Sequence, residues 1–278
     1  MAEESIFSDA HRQAQYDRDG FVTLRLFDAQ QVARLLALYD ATVAADPKKD
    51  LYESSRHNTL EKNAAINLTI REVLAEAAAG LFADHDLFGG TFMVKVPEAS
   101  TVLALHQDWS VVDEDRYQSV FIWCPLVDVG PENGGLFALP GSHRWFGNYR
   151  SGSMPSLRIV PRGPLKEGVV DIRLAAGQAI VYSDRLFHGS YANTTATPRI
   201  VVTGRINERG AQLVYYHRVD DQTVAIVKAS PEFYLKEIDA LAKGRLPEGY
   251  EILRTFAYTH RPVTESDLLD HVGSAGSH

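Results

Sequence analysis

Two histidines and one aspartate carry the clearest chemistry in this chain. His106 and Asp108 are separated by one residue, and His188 follows far downstream, just before Gly189. Residues two apart on a strand point to the same face, so His106 and Asp108 can share a barrel interior while Gln107 faces away. Two imidazoles and one carboxylate are the facial triad that holds ferrous iron and leaves coordination positions open. Because a His-x-Asp pair also occurs by chance, its context has to support the iron site.

A β-rich region has to position these three side chains. From Thr91 onward, short runs of β-branched and aromatic residues alternate with turn sequences such as Pro140-Gly141-Ser142. The predicted strands cover 92–96, 101–106, 119–127, 136–139, 169–174, 179–182, 199–205 and 213–217. Short strands with glycine-bearing turns indicate a mainly β core, a jelly-roll or cupin-like double-stranded β-helix.

Helices are expected on both sides of this core, with the N-terminal ones packed on the sheet. Residues 29–44 have the apolar spacing of an amphipathic helix, with Asp28 as its N-cap, and a second helix is expected over 70–82, before Gly89-Gly90. We interpret residues 1–278 as one domain. Its parts are a helical region at about 1–90 with a short strand over 21–24, the jelly roll at about 91–217, a C-terminal helical part at about 218–270 with a helix over 232–243, and a flexible tail at 271–278.

Composition excludes several classes of function. A net charge of -8 gives no general attraction to nucleic acid. The single cysteine, Cys124, excludes an internal disulfide and a cysteine-rich zinc site, which fits a reducing compartment. The N-terminus lacks an apolar signal core, and no apolar run approaches the roughly 18 residues of a membrane span. We therefore expect a cytoplasmic protein without nucleic-acid or membrane partners.

Several motifs occur in an order typical of one enzyme family. Residues 106–109 read His-Gln-Asp-Trp, residues 123–128 read Trp-Cys-Pro-Leu-Val-Asp, and residues 133–143 read Asn-Gly-Gly-Leu-Phe-Ala-Leu-Pro-Gly-Ser-His. His188-Gly189-Ser190 and Arg199 complete the series. Over roughly residues 91–205 the chain resembles the phytanoyl-CoA dioxygenase family of iron(II) and 2-oxoglutarate-dependent oxygenases. The resemblance implies that Fe(II), 2-oxoglutarate and O2 meet at His106, Asp108 and His188.

The resemblance also implies a site for 2-oxoglutarate. The guanidinium of Arg199 would bind the distal carboxylate as a bidentate pair, and an exposed arginine at a strand start is the alternative. Arg199 begins an apolar strand, where an unpaired charge would be costly. Ser190 matches a position that contacts the cosubstrate, while Trp123, Thr91 and Lys95 match the pocket more loosely. Lys95 is equally compatible with a solvated strand residue.

The implied reaction is the oxidation of an unactivated C-H bond in a small molecule, with release of succinate and CO2. Hydroxylation is the commonest outcome; desaturation, epoxidation, cyclisation and rearrangement would use the same residues. Asp108 disfavours halogenation, because related halogenases lack the carboxylate ligand. A natural-product or amino-acid-derived metabolite is the expected substrate, and the pattern gives no oligomeric state.

Three side chains are candidates for substrate contact. They are Trp109, Trp145 and Arg150, although aromatic residues of this kind are more often part of a core. Residues 145–168 have weak periodicity and several Pro and Gly residues, which suggests a loop or lid over the site.

Two other functions remain open. A cupin-like protein could bind a metal or small ligand without turnover, because jelly rolls host many functions. A cupin-type dioxygenase could also work without 2-oxoglutarate. Arg199 argues against the first, and the second predicts activity that survives loss of both 2-oxoglutarate and the Arg199 side chain.

Overall fold

A computed structural model describes residues 5–45 and 50–275, and for 273–275 it describes the backbone alone. The helices are α1 (Ala10–Asp19), α2 (Ala29–Thr42), α3 (Ser54–His57), α4 (Leu60–Ala78), α5 (Gly163–Gly168), α6 (Pro231–Ala242) and α7 (Glu265–Ala275). The strands are β1 (Phe21–Arg25), β2 (Leu51–Glu53), β3 (His85–Lys95), β4 (Leu103–His106), β5 (Ser119–Pro125), β6 (Leu136–Ala138), β7 (Val170–Asp171), β8 (Gln178–Ser183), β9 (His188–Ser190), β10 (Arg199–Glu208), β11 (Val214–Arg218), β12 (Thr223–Lys228) and β13 (Ile252–Ala257).

Two antiparallel sheets form the core of the fold. The larger sheet has the strand order β1-β8-β5-β10-β3-β2, and the smaller one has the order β4-β9-β6-β7. Side chains from both sheets, including Trp123, Ile180 and Leu136, pack in one cluster between them. This is the mainly β, double-stranded β-helix architecture that the sequence predicts.

The larger sheet presents two different faces because side chains alternate along each strand. On β10, Ile200, Val202 and Ile206 pack into the cluster that also contains residues of α2 and α4. Arg199 and Arg205 belong to the opposite face, which lines the interior between the sheets. The two buried arginines therefore lie on one face of the strand, and the other face contributes Ile200, Val202 and Ile206 to an apolar cluster.

The N-terminal helices pack on the outer face of the larger sheet, as expected. Asp28 caps α2 in a capping box with Gln31, which confirms the predicted helix start. The second helix, α4, begins earlier than predicted because Thr59 caps it by accepting a hydrogen bond from the backbone N-H of Lys62. Gly89-Gly90 lies within β3 and does not end the helix. A Cβ at Gly90 would lie 2.8 Å from the carbonyl oxygen of Asn67, so glycine lets α4 approach the strand.

The C-terminal part is not only helical. Strands β11, β12 and β13 form a separate three-stranded sheet, and α6 follows β12 close to the predicted position of 232–243. Helix α7 covers residues 271–275, which the sequence analysis placed in a tail; residues 276–278 lie outside the described residues, as do residues 1–4 at the N-terminus. Among the helices described, none is long and apolar enough to cross a membrane.

Candidate active site

Strand pairing brings the two histidines together. His106, at the end of β4, lies directly opposite His188, at the start of β9, and their ring centroids are 4.4 Å apart. Asp108 follows β4, with its Oδ1 atom 3.8 Å from His106 Nε2 and its Oδ2 atom 4.0 Å from His188 Nε2. One ligand atom from each residue lies within 4.8 Å of the other two. The three predicted ligands thus meet at one point, at a spacing suited to a single ion.

Backbone carbonyl groups orient both imidazole rings. His106 Nδ1 lies 2.8 Å from the carbonyl oxygen of Ala104, and His188 Nδ1 lies 3.0 Å from that of Leu186. Since a carbonyl oxygen only accepts hydrogen bonds, each Nδ1 carries the proton and each Nε2 offers its lone pair to the site. This is the tautomer that coordination of a metal through Nε2 requires.

The local electrostatics also prepare these groups for a cation. Burial, followed by the neighbouring His188, lowers the pKa of His106 to about 4. Burial alone would raise the pKa of Asp108, but the positive charge that His188 bears when protonated, the charge of Arg205 and that of protonated His106 outweigh it and hold this pKa below its usual range. At neutral pH the site therefore combines a neutral His106 imidazole with an ionised carboxylate.

Three residues that sequence reasoning missed support Asp108. The Tyr182 hydroxyl lies 3.2 Å from Asp108 Oδ2, to which it donates, and 3.2 Å from His188 Nε2. The guanidinium of Arg205 lies 4.0 Å from the same carboxylate oxygen and pairs closely with Asp184, which is only 1% exposed. The even spacing of Arg205 from Arg199 along β10 was a signal that both face the interior; the sequence has no comparable signal for Asp184.

A small pocket beside the triad contains Arg199. The residue is 1% exposed, and its guanidinium lies 5.3 Å from the Trp123 ring. Its Nη1 atom donates to the carbonyl oxygen of Gly134 at 3.0 Å, whereas Nε and Nη2 have no hydrogen-bond partner among the described residues. Burial lowers the pKa of Arg199 to about 9. A buried cation with spare donors is a site for an anion, because an unpaired charge in an apolar interior is costly.

The other residues predicted to bind 2-oxoglutarate separate into two groups. Ser190 and Trp123 line the pocket with Arg199. Lys95 is fully buried behind it, where its amine donates to the carbonyl oxygens of Thr101, Ser190 and Tyr191. The hydroxyl of Thr91 binds the start of α3 and faces a different cavity. Lys95 therefore holds backbone segments that border the Arg199 pocket and does not face the pocket itself. Thr91 does not lie beside Arg199.

These residues fit the implied cofactors. Two available imidazole nitrogens and one carboxylate oxygen suit iron(II), and the orphaned donors of Arg199 suit a carboxylate of 2-oxoglutarate. His106, Asp108 and His188 line the same pocket as Arg199, so one bidentate molecule could reach both the metal and the guanidinium.

A larger cavity of about 290 Å³ adjoins the metal site through Asp108. Its apolar lining includes Trp109, Phe121 and Tyr234. One side is formed by α6, through Pro231, Tyr234, Leu235, Ile238 and Ala242. A cavity of this size next to a reactive centre is suited to a small organic substrate.

Of the three predicted substrate contacts, only Trp109 lines this cavity. Trp145 stacks on His271 of α7, with ring centroids 4.9 Å apart, in a separate apolar cluster. Arg150 is 7% exposed, donates to the backbone carbonyl oxygen of Asp108 at 2.7 Å and pairs with Glu114. Arg150 therefore positions the loop that carries a metal ligand and does not face the cavity.

The prediction that residues 145–168 form a loop or lid over the site is also corrected, because this segment lies away from both cavities. None of its residues lines the cavity or the Arg199 pocket. The segment is tied to the core by a bridge between Leu105 and Ile159 and by Ser153, which accepts a hydrogen bond from the backbone N-H of Arg218. A Cβ at Gly152 would lie 1.9 Å from the carbonyl oxygen of Leu241, so this loop packs against the end of α6. Helix α6 covers the cavity instead.

Comparison with known proteins places this site in a family. Residues 16–201 match the phytanoyl-CoA dioxygenase (PhyH) family. The ectoine dioxygenase of Sphingopyxis alaskensis is 25% identical over 222 residues, which cover 68% of this chain and 72% of that protein.

Three solved structures show that this chain shares its fold with other proteins, although each is less than 25% identical to it in sequence. SnoN, an epimerase in complex with Fe³⁺, alpha ketoglutarate and nogalamycin RO, is 24% identical, with a TM-score of 0.54 over 73% of this chain and 84% of that one. EvdO2 of Micromonospora carbonacea, complexed with 2-oxoglutarate, is 21% identical, with a TM-score of 0.55 over 74% and 93%. The non-heme monooxygenase ThoJ is 18% identical, with a TM-score of 0.56 over 95% and 94%.

Proposed function

Since the chain belongs to the phytanoyl-CoA dioxygenase family and is a non-haem iron(II) and 2-oxoglutarate-dependent dioxygenase, we propose that it hydroxylates an unactivated C-H bond of a small metabolite. The metal ligands in this proposal are His106, Asp108 and His188. Arg199 holds the cosubstrate, and the cavity beneath α6 holds the substrate.

The observation that carries this proposal is the uncompensated charge of Arg199 next to the triad. A simple metal-binding cupin has no need for a buried guanidinium with two orphaned nitrogens in the pocket that contains its metal ligands. A dicarboxylate that binds the metal at one end and Arg199 at the other removes the cost of this charge.

Each group of residues has a defined task in the reaction. Iron(II) and 2-oxoglutarate supply, when bound, an oxidative decarboxylation that yields succinate and CO2 and delivers one oxygen atom of O2 to the substrate. Tyr182 and Arg205 keep the Asp108 carboxylate ionised and oriented. The apolar cavity walls exclude water and hold one C-H bond near the open coordination positions.

The cavity favours a compact metabolite. Its volume of about 290 Å³ suits a compact molecule rather than a whole acyl-CoA thioester. Among the similar proteins, one is named an ectoine dioxygenase and another was solved with nogalamycin RO. These relatives support an amino-acid-derived or natural-product substrate.

Anaerobic titration tests the cosubstrate assignment. Addition of iron(II) and then 2-oxoglutarate should produce the weak visible charge-transfer band of the chelate, and Asp108→Ala should abolish both this band and succinate formation. A protein that binds metal without turnover would give no succinate with any metabolite of a broad panel. Full turnover by Asp108→Ala would remove this residue from the ligand set.

A further inference from the structure

One charged pair faces the substrate cavity from the side of β2 and α3. Glu53 and Arg56 both line the cavity, and the closest approach of their charged groups is 3.7 Å, between Arg56 Nη1 and a Glu53 carboxylate oxygen. That separation is longer than a charge-assisted hydrogen bond. Arg56 Nε is buried without a partner among the described residues. The pair therefore retains hydrogen-bonding capacity on both the acidic and the basic side.

The surroundings of Glu53 and Arg56 make their remaining hydrogen-bonding capacity relevant to substrate binding. Burial raises the pKa of Glu53, although the Arg56 guanidinium opposes the shift, and Asp108 also contributes to the rise. The other charged groups around the cavity are already engaged: Arg205 pairs with Asp184, and Asp108 is a metal ligand in the proposed function. Glu53 and Arg56 are thus the charged groups left to recognise a substrate among the described lining residues.

A second part of the lining has a contrasting character. Helix α6 contributes Leu235 and Ile238, and Trp109 closes the side next to the metal ligand Asp108. This helix follows the segment matched by the family, which ends at residue 201. The cavity therefore has a polar part of its lining with one positive and one negative group, and an apolar part to which the C-terminal region of this chain contributes α6.

We propose that Glu53 and Arg56 bind the head group of a zwitterionic, amino-acid-type substrate. Its protonated amine lies on the Glu53 carboxylate, its carboxylate lies on the Arg56 guanidinium, and its apolar remainder packs against Trp109 and α6. Such a head group offers a hydrogen-bonding partner of opposite charge to both side chains at once, which a singly charged molecule cannot do. The inference rests on the proposed dioxygenase function and names its substrate class.

Succinate formation provides the test. The enzyme, loaded with iron(II) and 2-oxoglutarate, is assayed with individual free amino acids. The panel includes the amino acids found in proteins and other cyclic amino acids, each also tested as its methyl ester and its N-acetyl derivative. At least one amino acid should raise succinate formation above the basal rate, and removal of either charge should lower kcat/KM about tenfold or more. If no free amino acid stimulates the enzyme, or if ester and N-acetyl forms work equally well, the zwitterion proposal is wrong.

Two variants separate recognition from a general structural effect. Glu53→Gln should raise KM for the stimulating amino acid and erase its advantage over the N-acetyl form, while the advantage over the ester remains. Arg56→Gln should show the reverse pattern. Glu248→Gln and Arg245→Gln, at exposed positions, are the matched controls and should behave as the wild type. Loss of both preferences in each variant would contradict the assignment.

The chelate band distinguishes failure of this proposal from failure of the proposed function. Glu53 and Arg56 do not line the Arg199 pocket, so both variants should form the iron(II) and 2-oxoglutarate chelate normally. A normal chelate without any response to amino acids overturns only the substrate class. Absence of the chelate in the wild-type protein overturns the dioxygenase assignment itself.

Discussion

Arg199 and Arg205 lie on the same face of β10, yet their surroundings are opposite. Arg205 pairs with Asp184 and lies 4.0 Å from Asp108, and these carboxylates raise its pKa against the effect of burial. Arg199 has no carboxylate within ion-pair distance among the described residues, and burial lowers its pKa to about 9. One arginine is neutralised by the protein, whereas the other is left for a ligand.

This difference shows how to distinguish a structural cation from a binding cation in a buried site. Burial alone does not separate them, because both side chains are largely removed from water. The number of satisfied donors does: Nε and Nη2 of Arg199 have no partners in the described part of the chain. A buried cation with unsatisfied donors is therefore the one that we expect to bind an anion.

Replacing Arg199 should have the largest effect on cosubstrate binding. Arg199→Met should weaken 2-oxoglutarate binding about 1,000-fold, because it removes the charged partner of a buried carboxylate. The same change should leave the free energy of unfolding of the apoprotein unchanged or higher, since it removes an uncompensated charge. Titration of the chelate band and denaturant unfolding measure the two effects. A large loss of apoprotein stability would show that the guanidinium is structural.

Replacing Arg205 should give the opposite result. Arg205→Met leaves Asp184 buried without its cation, and we expect the free energy of unfolding to fall by about 3 kcal/mol. Arg205→Met combined with Asp184→Asn should recover part of this loss. Denaturant unfolding of the single and double variants checks the prediction. Equal stability of Arg205→Met and the wild type would contradict the structural assignment.

Tyr182 should have an intermediate effect on the metal. Tyr182→Phe keeps the ring but removes the hydroxyl that donates to Asp108, so we expect iron(II) affinity to fall about tenfold. The affinity of the iron-loaded protein for 2-oxoglutarate should change much less, because Arg199 is retained. Metal titration followed by chelate formation separates these quantities; an unchanged iron affinity would exclude a role for this hydrogen bond.

The last expected effect depends on pH and concerns Lys95, the second cation near Arg199. Burial, followed by the charge of Arg199, lowers the pKa of Lys95 from 10.5 to about 7. Above pH 7 the unfolded chain then binds more protons at this residue than the folded chain, so stability should rise with pH towards 10.5, by at most about 1.4 kcal/mol per pH unit. Lys95→Met should lack this contribution. Apoprotein unfolding measured from pH 6 to 9 checks it, and parallel curves for the two proteins would contradict the shift.

Sequence reasoning was strongest where side-chain chemistry and local periodicity coincide. The metal ligands and Arg199 are unusual residue types on otherwise apolar strands, so their positions could be predicted. The start of α4 was missed because its cap, Thr59, precedes a first turn without an apolar stripe. Strand β13 was missed because it is exposed on both faces at a sheet edge, which leaves no alternation to detect.

The substrate side of the site could not be predicted in the same way. Glu53 and the residues of α6 become neighbours only because α6 packs against α3 and β3, which is a property of tertiary packing. Arg150 is basic and lies near the site in sequence, but its donors are already used by Asp108, Asn148 and Glu114. Charge and position alone could not show that those bonds were made within the protein.

The direct pairing of His106 with His188 also has a consequence for how the protein matures. The two ligands belong to strands far apart in the sequence, and a shift of one residue in either strand would turn its histidine away from the other. Only a chain with the correct β4–β9 register can hold iron(II) with all three ligands, and binding stabilises that state by mass action. Metal binding should therefore favour the folded state in which β4 and β9 pair in the correct register.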